Sequence, residues 1–455
     1  MGQGGSVVIV NATKYDWKRV NQHSYQMNSW NFPTTIAAGS KVSVYVEWDE
    51  NIFDNHHDDG GEAGYELEGT GLTFEFQARW PEGGDRRILV YFKNLSTPNN
   101  PKGSTISLGW AHDGRMNFVI SGDVSHLNST YAPQGWSWMS DNINLLAPRS
   151  LRTICIPGSH DSGMSTYGAH TAFAKRCNTI TQTKSIAGQL AQGARFFDIR
   201  LVISGGAYYS GHYSYLNPIL GTQGANGQSI GDIVNQVNQF LEGASELVIL
   251  KFSGDMNTDV GEPDYRPFTQ QEWDGFFRFL DERLKYRYVN PGVSDLTTLK
   301  VGQFIGESKP FKPAVLAVVA PRDSGIRIPE AYLKAGFYPN SAFPLYDDYA
   351  NKTQVDQMAA DQIQKMKEHR PSPNSECFLL SWTLTQNTDA AVNCLEEAGP
   401  DSVLWLANQA NPTIYDKLWG ALTPQTYPNV LYTDNVDSTL NLELALAITF
   451  FGASS

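Results

Sequence analysis

The sequence predicts an α/β protein, a distorted TIM-type (β/α)8 barrel preceded by a smaller antiparallel β-sandwich. Three observations predict it. The 455 residues exceed what a single hydrophobic core organises. In the first part of the chain the apolar pattern repeats every second residue, as half-buried strands require. In the remainder, short apolar runs alternate with helical patterns, the grammar of βαβ units around a parallel sheet. The composition shift places the sandwich at 1–132 and the barrel at 133–455.

Within 1–132, Leu72, Phe74, Phe76, Ala78 and Trp80 alternate with Thr73, Glu75, Gln77 and Arg79, and Lys41 to Trp48 alternates in the same way. Shorter apolar runs at Ser6 to Val10, Ile88 to Phe92, Ile106 to Trp110 and Phe118 to Ile120 are separated by turn-forming residues, and Asp113-Gly114 reads as a hairpin turn. Seven of the eleven tryptophans lie before residue 140, which suits an aromatic core. In outline the module resembles small lectin-like and cytolysin-like β-sandwiches, which implies an accessory, targeting role with weak lipid or glycan binding. His56, His57 and the carboxylates of Asp54, Asp58 and Asp59 match no metal-loop spacing, so a solvated acidic loop is expected.

In 133–455 the strand candidates are Thr153 to Ile156, Arg195 to Leu201, Tyr208 to His212, Leu247 to Phe252, Ala314 to Val319, Ala342 to Leu345, Cys377 to Trp382 and Val430 to Tyr432. Ser229 opens a helix whose Ile230, Ile233, Val234, Val237 and Leu241 share a face, with Asp232 placed to complete the cap. Further helices are expected at Gln270 to Lys285, Gln354 to Glu368 and Asp437 to Thr449.

A net charge of −13 argues against duplex nucleic acid as a partner, because phosphate binding rests on clustered Lys and Arg. Cys155, Cys177, Cys377 and Cys394 are too scattered for a disulfide framework or a metal site, so four buried thiols are expected. No apolar run is long enough to span a bilayer. No secretory signal is evident, and the compartment stays open between secretion and peripheral membrane association. Gly2 to Ser6 fits the loose N-myristoylation pattern and equally a flexible lead-in.

The chemistry-bearing residues follow the apolar runs, where barrel strands end and active sites are built. Ile154-Cys155-Ile156 leads into Pro157-Gly158-Ser159-His160-Asp161-Ser162. Ala194-Arg195-Phe196-Phe197 leads into Asp198-Ile199-Arg200, Tyr208 to Gly211 into His212, and Leu247 to Leu250 into Lys251. Two imidazoles, two cations and a carboxylate suit the splitting of a phosphodiester by internal attack.

The run Ile156 to Ser162, the run Gly193 to Arg200 and the Trp138-Met139-Ser140 lead-in resemble the phosphatidylinositol-specific phospholipases C of the bacterial and fungal single-barrel type. The resemblance implies that His160 takes the proton of the inositol 2-hydroxyl and that His212 protonates the departing diacylglycerol oxygen, giving a cyclic inositol phosphate. It further implies that Asp434 orients His160 and that Asp198 braces the site. Arg200 takes the place of the metal ion of calcium-dependent relatives, so no metal or other cofactor is expected. Lys251, Arg322, Asp347 and Tyr349 match positions that grip the inositol hydroxyls. The implied partner is a phospholipid substrate at a membrane surface, met by peripheral contact. Tyr213 departs from the family, which has glycine after the second histidine, and raises the prospect of a narrowed pocket. Two other readings compete: a metal-dependent glycerophosphodiesterase or sphingomyelinase D-like barrel, and a non-catalytic membrane- or glycan-binding protein.

Overall fold

The computed structural model describes residues 3–51, 53, 55–263 and 265–452. Gly2 of the acylation pattern and Asp54 of the acidic loop lie outside them. The chain divides into two compact units, one of Met1–Pro133, Pro412–Pro424 and Glu443–Ser455, the other of Gln134–Asn411 and Gln425–Leu442.

The first unit contains β1 (Gln3–Thr13), β2 (Trp17–Tyr25), β3 (Met27–Trp30), β4 (Thr35–Ile36), β5 (Lys41–Trp48), β6 (Gly60–Leu67), β7 (Leu72–Arg79), β8 (Arg87–Tyr91), β9 (Thr105–Gly109), β10 (Arg115–Asp123) and β11 (His126–Ser129). They form a five-stranded sheet, β11-β10-β1-β5-β3, and a six-stranded sheet, β4-β2-β6-β7-β8-β9. Val7, Ile9, Val46 and Phe118 from the first sheet share one core with Tyr65, Phe74, Phe76 and Val90 from the second. Every second side chain of β5 and β7 turns into that core, as the alternation requires. Trp17, Trp30 and Trp48 are buried there.

Three details differ from expectation. β1 pairs with β10 in parallel, so the unit is not wholly antiparallel. Asp113, with φ of 56°, makes a left-handed turn, but β9 and β10 on either side belong to different sheets, so it carries the chain across rather than closing a hairpin. Gly4 and Gly5 are no loose lead-in: both pair with β5, and a Cβ on Gly4 would collide with the Tyr45 hydroxyl. His56 stacks on Trp80 with ring centroids 4.8 Å apart, and its Nδ1 lies 3.4 Å from Asp59. Among the described residues this loop gathers no set of three metal ligands.

The second unit contains β12 (Ile156–Ser159), β13 (Phe196–Ser204), β14 (Ala207–Asn217), β15 (Gly221–Ser229), β16 (Leu247–Asn257), β17 (Ala314–Ala320), β18 (Phe337–Pro339), β19 (Leu345–Tyr346), β20 (Cys377–Ser381) and β21 (Val430–Thr433). Eight of them run parallel in the order β18-β17-β16-β13-β12-β21-β20-β19, a curled sheet. The expected distorted barrel is present in part, as a curled parallel sheet that does not close: among the described residues no pairing joins β18 to β19. Both strands are short, and Pro339 and Pro344 at their ends supply no N–H with which to extend a ladder.

The tally of eight parallel strands agrees with the sequence reading, but the membership does not. Tyr208 to His212 lies in β14, which pairs antiparallel with β13 and β15 as a hairpin arm. The unread member is β18, whose three residues carry too little pattern to notice. Ala342 sits in a 3-10 turn rather than a strand.

The expected helices form at Ile230–Gly243, Gln270–Arg283, Val355–His369 and Leu440–Phe451. Ser229 caps the first, its hydroxyl accepting from the Asp232 amide at 3.0 Å. The expectation of four free thiols is overturned. Cys177 and Cys394, 217 residues apart, form a disulfide with Cα atoms 6.0 Å apart, while Cys155 and Cys377 are buried and free. Folding brings together what linear spacing kept apart.

Candidate active site

β12 is buried throughout and delivers His160 at its carboxyl end, where the His160 amide donates to Thr433 O of β21 at 3.0 Å. Asp161 then adopts φ of 40°, a left-handed conformation uncommon for a residue with a Cβ and one that clusters at functional sites. The turn is braced from below. The Ser162 amide donates to Asp198 O at 2.9 Å, and the buried Gln182 amide donates to His160 O at 2.8 Å.

On this base the imidazoles are pinned by different carboxylates. His160 Nδ1 lies 2.7 Å from Asp434 Oδ1, and His212 Nδ1 lies 2.5 Å from Asp161 Oδ2. The same Asp161 oxygen stands 3.7 Å from His160 Nε2, which places both rings in one site although His212 arrives on the hairpin arm. Arg200 joins them. Its Nε lies 2.5 Å from Asp161 Oδ1 and 3.3 Å from Asp198 Oδ2, and one of its terminal nitrogens donates to His160 Nε2 at 3.0 Å. A ring nitrogen that accepts from a guanidinium carries no proton, so this geometry belongs to the tautomer with hydrogen on Nδ1 facing Asp434.

Burial pulls the His160 pKa down, but the Asp434 and Asp161 carboxylates outweigh it and lift it to about 9. Burial likewise works against the charged forms of Asp161 and Arg200. Mutual attraction prevails: Arg200, His160 and His212 hold Asp161 well below the usual carboxylate range, and Asp161 and Asp198 hold Arg200 above the usual guanidinium value.

His160, Asp198, Arg200, His212, Lys251, Asp347, Tyr349 and Asp434 all line one cavity of about 730 Å³. Lys251, on β16, forms an ion pair with Asp347 beyond β19. Arg322 stands apart: it is exposed, it is not among the lining residues, and its backbone N–H donates to Asp255 at 2.7 Å. Tyr213 does not narrow the cavity. Side chains alternate along β14, so its ring leaves the His212 side, and its hydroxyl donates to Asn226 at 2.7 Å.

Sequence reasoning missed three members of the network. Asp161 stands directly after His160, but nothing in the sequence marks it as the partner of a second histidine 51 residues away. Tyr432 hides in the apolar run of β21, where its hydroxyl donates to Asp198 Oδ2 at 2.6 Å. Ser253, two residues past Lys251, donates to the other Asp198 oxygen at 3.2 Å. Neither hydroxyl gives a signal before the strands are aligned.

No family model matches the chain. A PI-PLC X-box domain-containing protein of Dictyostelium discoideum is 29% identical over 130 residues, which is 26% of this chain and 16% of that protein, so the match spans about a sixth of the curated relative's length. Among solved structures, the fold is similar to that of the phosphatidylinositol-specific phospholipase C of Staphylococcus aureus, at 16% identity and a TM-score of 0.49, over 70% of this chain and 98% of that one. The phosphatidylinositol-specific phospholipase C of Listeria monocytogenes is similar at 18% identity and a TM-score of 0.44, over 69% and 98%. The resemblance read from the sequence and the relatives found by comparison thus carry the same name.

Proposed function

We propose that the chain is a metal-independent phosphodiesterase that cleaves phosphatidylinositol-type lipids to a cyclic inositol phosphate and diacylglycerol, with catalysis in 133–455 and an accessory role for 1–132. One observation carries this reading: two imidazoles line one cavity, each held through Nδ1 by its own buried carboxylate, with a guanidinium bound to the network between them. With Nδ1 engaged, each ring meets substrate through Nε2. His160, in the deprotonated form that its raised pKa makes the minor one below about pH 9, accepts the proton of the inositol 2-hydroxyl as that oxygen attacks phosphorus. His212, protonated, gives its proton to the leaving diacylglycerol oxygen. Each positioned transfer contributes about 10²- to 10⁴-fold. Arg200, held through Nε by Asp161 and Asp198, offers its terminal nitrogens to the non-bridging oxygens and neutralises the charge that builds there. Lys251, Asp347 and Tyr349 face the inositol hydroxyls. Arg322 reaches that ring only if its exposed loop moves.

A metal-dependent reading has one observation in its favour, since ligand atoms of His160, Asp161 and Asp198 lie within 4.8 Å of one another. Against it, Arg200 ion-pairs with both carboxylates, Tyr432 and Ser253 each donate to an oxygen of Asp198, and a cation there would meet a fixed positive charge. Phosphorus NMR of the products formed from phosphatidylinositol in excess EDTA tests both readings. A cyclic phosphate formed at an undiminished rate supports the metal-free mechanism. Activity abolished by EDTA and restored by Ca²⁺ overturns it, and a linear monoester as first product overturns the internal attack.

A further inference from the structure

His160, Asp198, Arg200 and Lys251 stand on or directly after parallel strands, whereas His212 stands on the hairpin arm β14. The pairing of β14 with β13 ends at Ser210, opposite Leu201. From Gly211 onward, among the described residues, β14 pairs with β15 alone, and register shifts interrupt that ladder on both sides of His212, between Tyr209 and Gly211 and between Tyr215 and Asn217. A ladder on one edge, broken twice, leaves the aim of the ring to side-chain contacts. Tyr213 supplies one on the far face of the arm. Its hydroxyl reaches diagonally across the hairpin to Asn226, which is 2% exposed, and donates to Oδ1 at 2.7 Å. Room for the ring is made by two glycines: a Cβ on Gly224 would stand 2.6 Å from it and one on Gly211 2.9 Å. β15 is in turn bonded to the segment that carries Asp161. The Gln228 amide donates to Gly163 O, the Asn226 amide to Ala169 O and the Gly168 amide to Asn226 O, each at 2.8 Å. The contacts close on themselves, from His212 through Tyr213 and Asn226 to the 161–169 segment, and from Asp161 back to Nδ1 of His212 at 2.5 Å.

We propose that Tyr213 is a positioning residue for the proton donor, its bond to Asn226 fixing the aim of the His212 ring at Asp161 and at the leaving oxygen. The inference rests on the proposed function, which makes His212 the acid, and goes beyond it by assigning what holds that acid in line. Tyr213 itself meets no substrate, since it lies on the face of β14 away from the cavity. Proton transfer demands a heavy-atom separation of about 2.6–3.2 Å, so a ring that swings on an arm held along one edge spends part of its time out of reach. The strut removes that swing. Its loss therefore bears on one step, protonation of the leaving group, and the leaving alcohol sets how much that step matters. An alcohol of low pKa departs as an anion and needs no donor, whereas an aliphatic alcohol such as the glycerol oxygen of a lipid needs one. A strut that only stabilised the fold would act on both alike.

The test uses the full chain with two soluble inositol phosphodiesters, one with an aliphatic leaving alcohol and one with a nitrophenol. Tyr213→Phe is expected to lower kcat on the aliphatic ester about tenfold, with KM unchanged within about twofold, and to leave the nitrophenyl ester within about twofold. Asn226→Ser, which removes the acceptor from the other side, is expected to do the same, and the double variant to cost no more than either single one. Equal losses on the two esters, or none on either, overturn the proposal, as do additive losses in the double variant. Nitrogen NMR of the His212 ring needs no turnover: the Nδ1 signature of the bond to Asp161 is expected to weaken in Tyr213→Phe, and an unchanged ring overturns the strut. If the wild type cleaves neither ester, the proposed function fails, and the His212 resonances alone decide the strut.

Discussion

At the floor of the cavity His160 and His212 are each fixed by a buried carboxylate, Arg200 bonds to both sides, and the supporting residues sit on parallel strands. At the mouth, Phe173, Val392 and Leu395 stand in solvent on segments joined by one disulfide and a few hydrogen bonds. The floor holds charge in place at the cost of desolvation, which only a closed network of opposite charges offsets. The mouth gains nothing from water and is kept in shape covalently. The two regions are therefore held by different means: a charge network fixes the floor, so substitutions there should abolish turnover on any substrate, and a covalent bridge ties the segments at the mouth.

The largest effects expected at the floor come from the imidazoles. His160→Ala and His212→Ala should each lower kcat by at least about a hundredfold on soluble and vesicular substrates alike. Thermal melting should show the fold intact, and near wild-type rates from either variant would end the two-histidine assignment. Restoring a leaving group of low pKa sharpens the test, because it should rescue His212→Ala, which lacks the acid, and not His160→Ala, which lacks the base. Arg200→Lys comes next, at about 10²- to 10³-fold in kcat with EDTA present. Lysine keeps the charge but loses the planar fork that meets Asp161, Asp198 and the His160 ring together. Full activity in this variant would show that charge alone suffices.

The same division decides what could be read from the chain before it was folded. His160, Asp198, Arg200 and Lys251 were legible because each follows an apolar run that ends at the site, so strand position and chemistry coincide in a few residues. The strongest sequence runs also include residues with no chemical role. Arg195 is fully buried against Glu246, with its terminal nitrogen 2.8 Å from the carboxylate, and the Met139 and Ser140 amides donate to the same Glu246 at 3.0 and 2.8 Å. The Trp138-Met139-Ser140 lead-in is therefore a clamp on the scaffold. His212 lines the cavity but arrives on a hairpin arm rather than on a parallel strand, because an apolar run looks the same in both. Arg322 lies in a loop and found no place at the cavity. The disulfide was invisible because 217 residues separate its halves, and the tyrosine and serine that hold Asp198 were invisible because a hydroxyl does not disturb a strand pattern.

Those hydroxyls allow a subtler probe of the floor. Tyr432→Phe removes the donor at 2.6 Å from Asp198 and leaves a buried carboxylate oxygen short of a partner. Asp198 should then hold Arg200 less firmly, and kcat should fall about tenfold with little change in KM, since a hydrogen bond to a charged group is worth about 1.5–3 kcal/mol. A change confined to KM would place Tyr432 among the groups that bind substrate instead.

The smallest effect expected is on stability, and it reports the charge network without any substrate. The His160 pKa rises from 6.5 to about 9 on folding, so the folded state binds this proton more tightly than the unfolded chain does. The resulting stabilisation is fully present below pH 6.5 and is lost as pH rises through about 9, on the order of 3 kcal/mol at most. Asp161 has the opposite sign. Its lowered pKa contributes stability above the ordinary carboxylate value of 3.8 and loses it only in stronger acid, outside this window. Melting temperatures of the wild type and His160→Gln, measured from pH 6 to pH 10, should therefore converge as pH rises, by a few degrees for a unit of this size. A constant gap would mean that Asp434 and Asp161 hold His160 by geometry alone, and that the base enters the reaction with the pKa of a free imidazole.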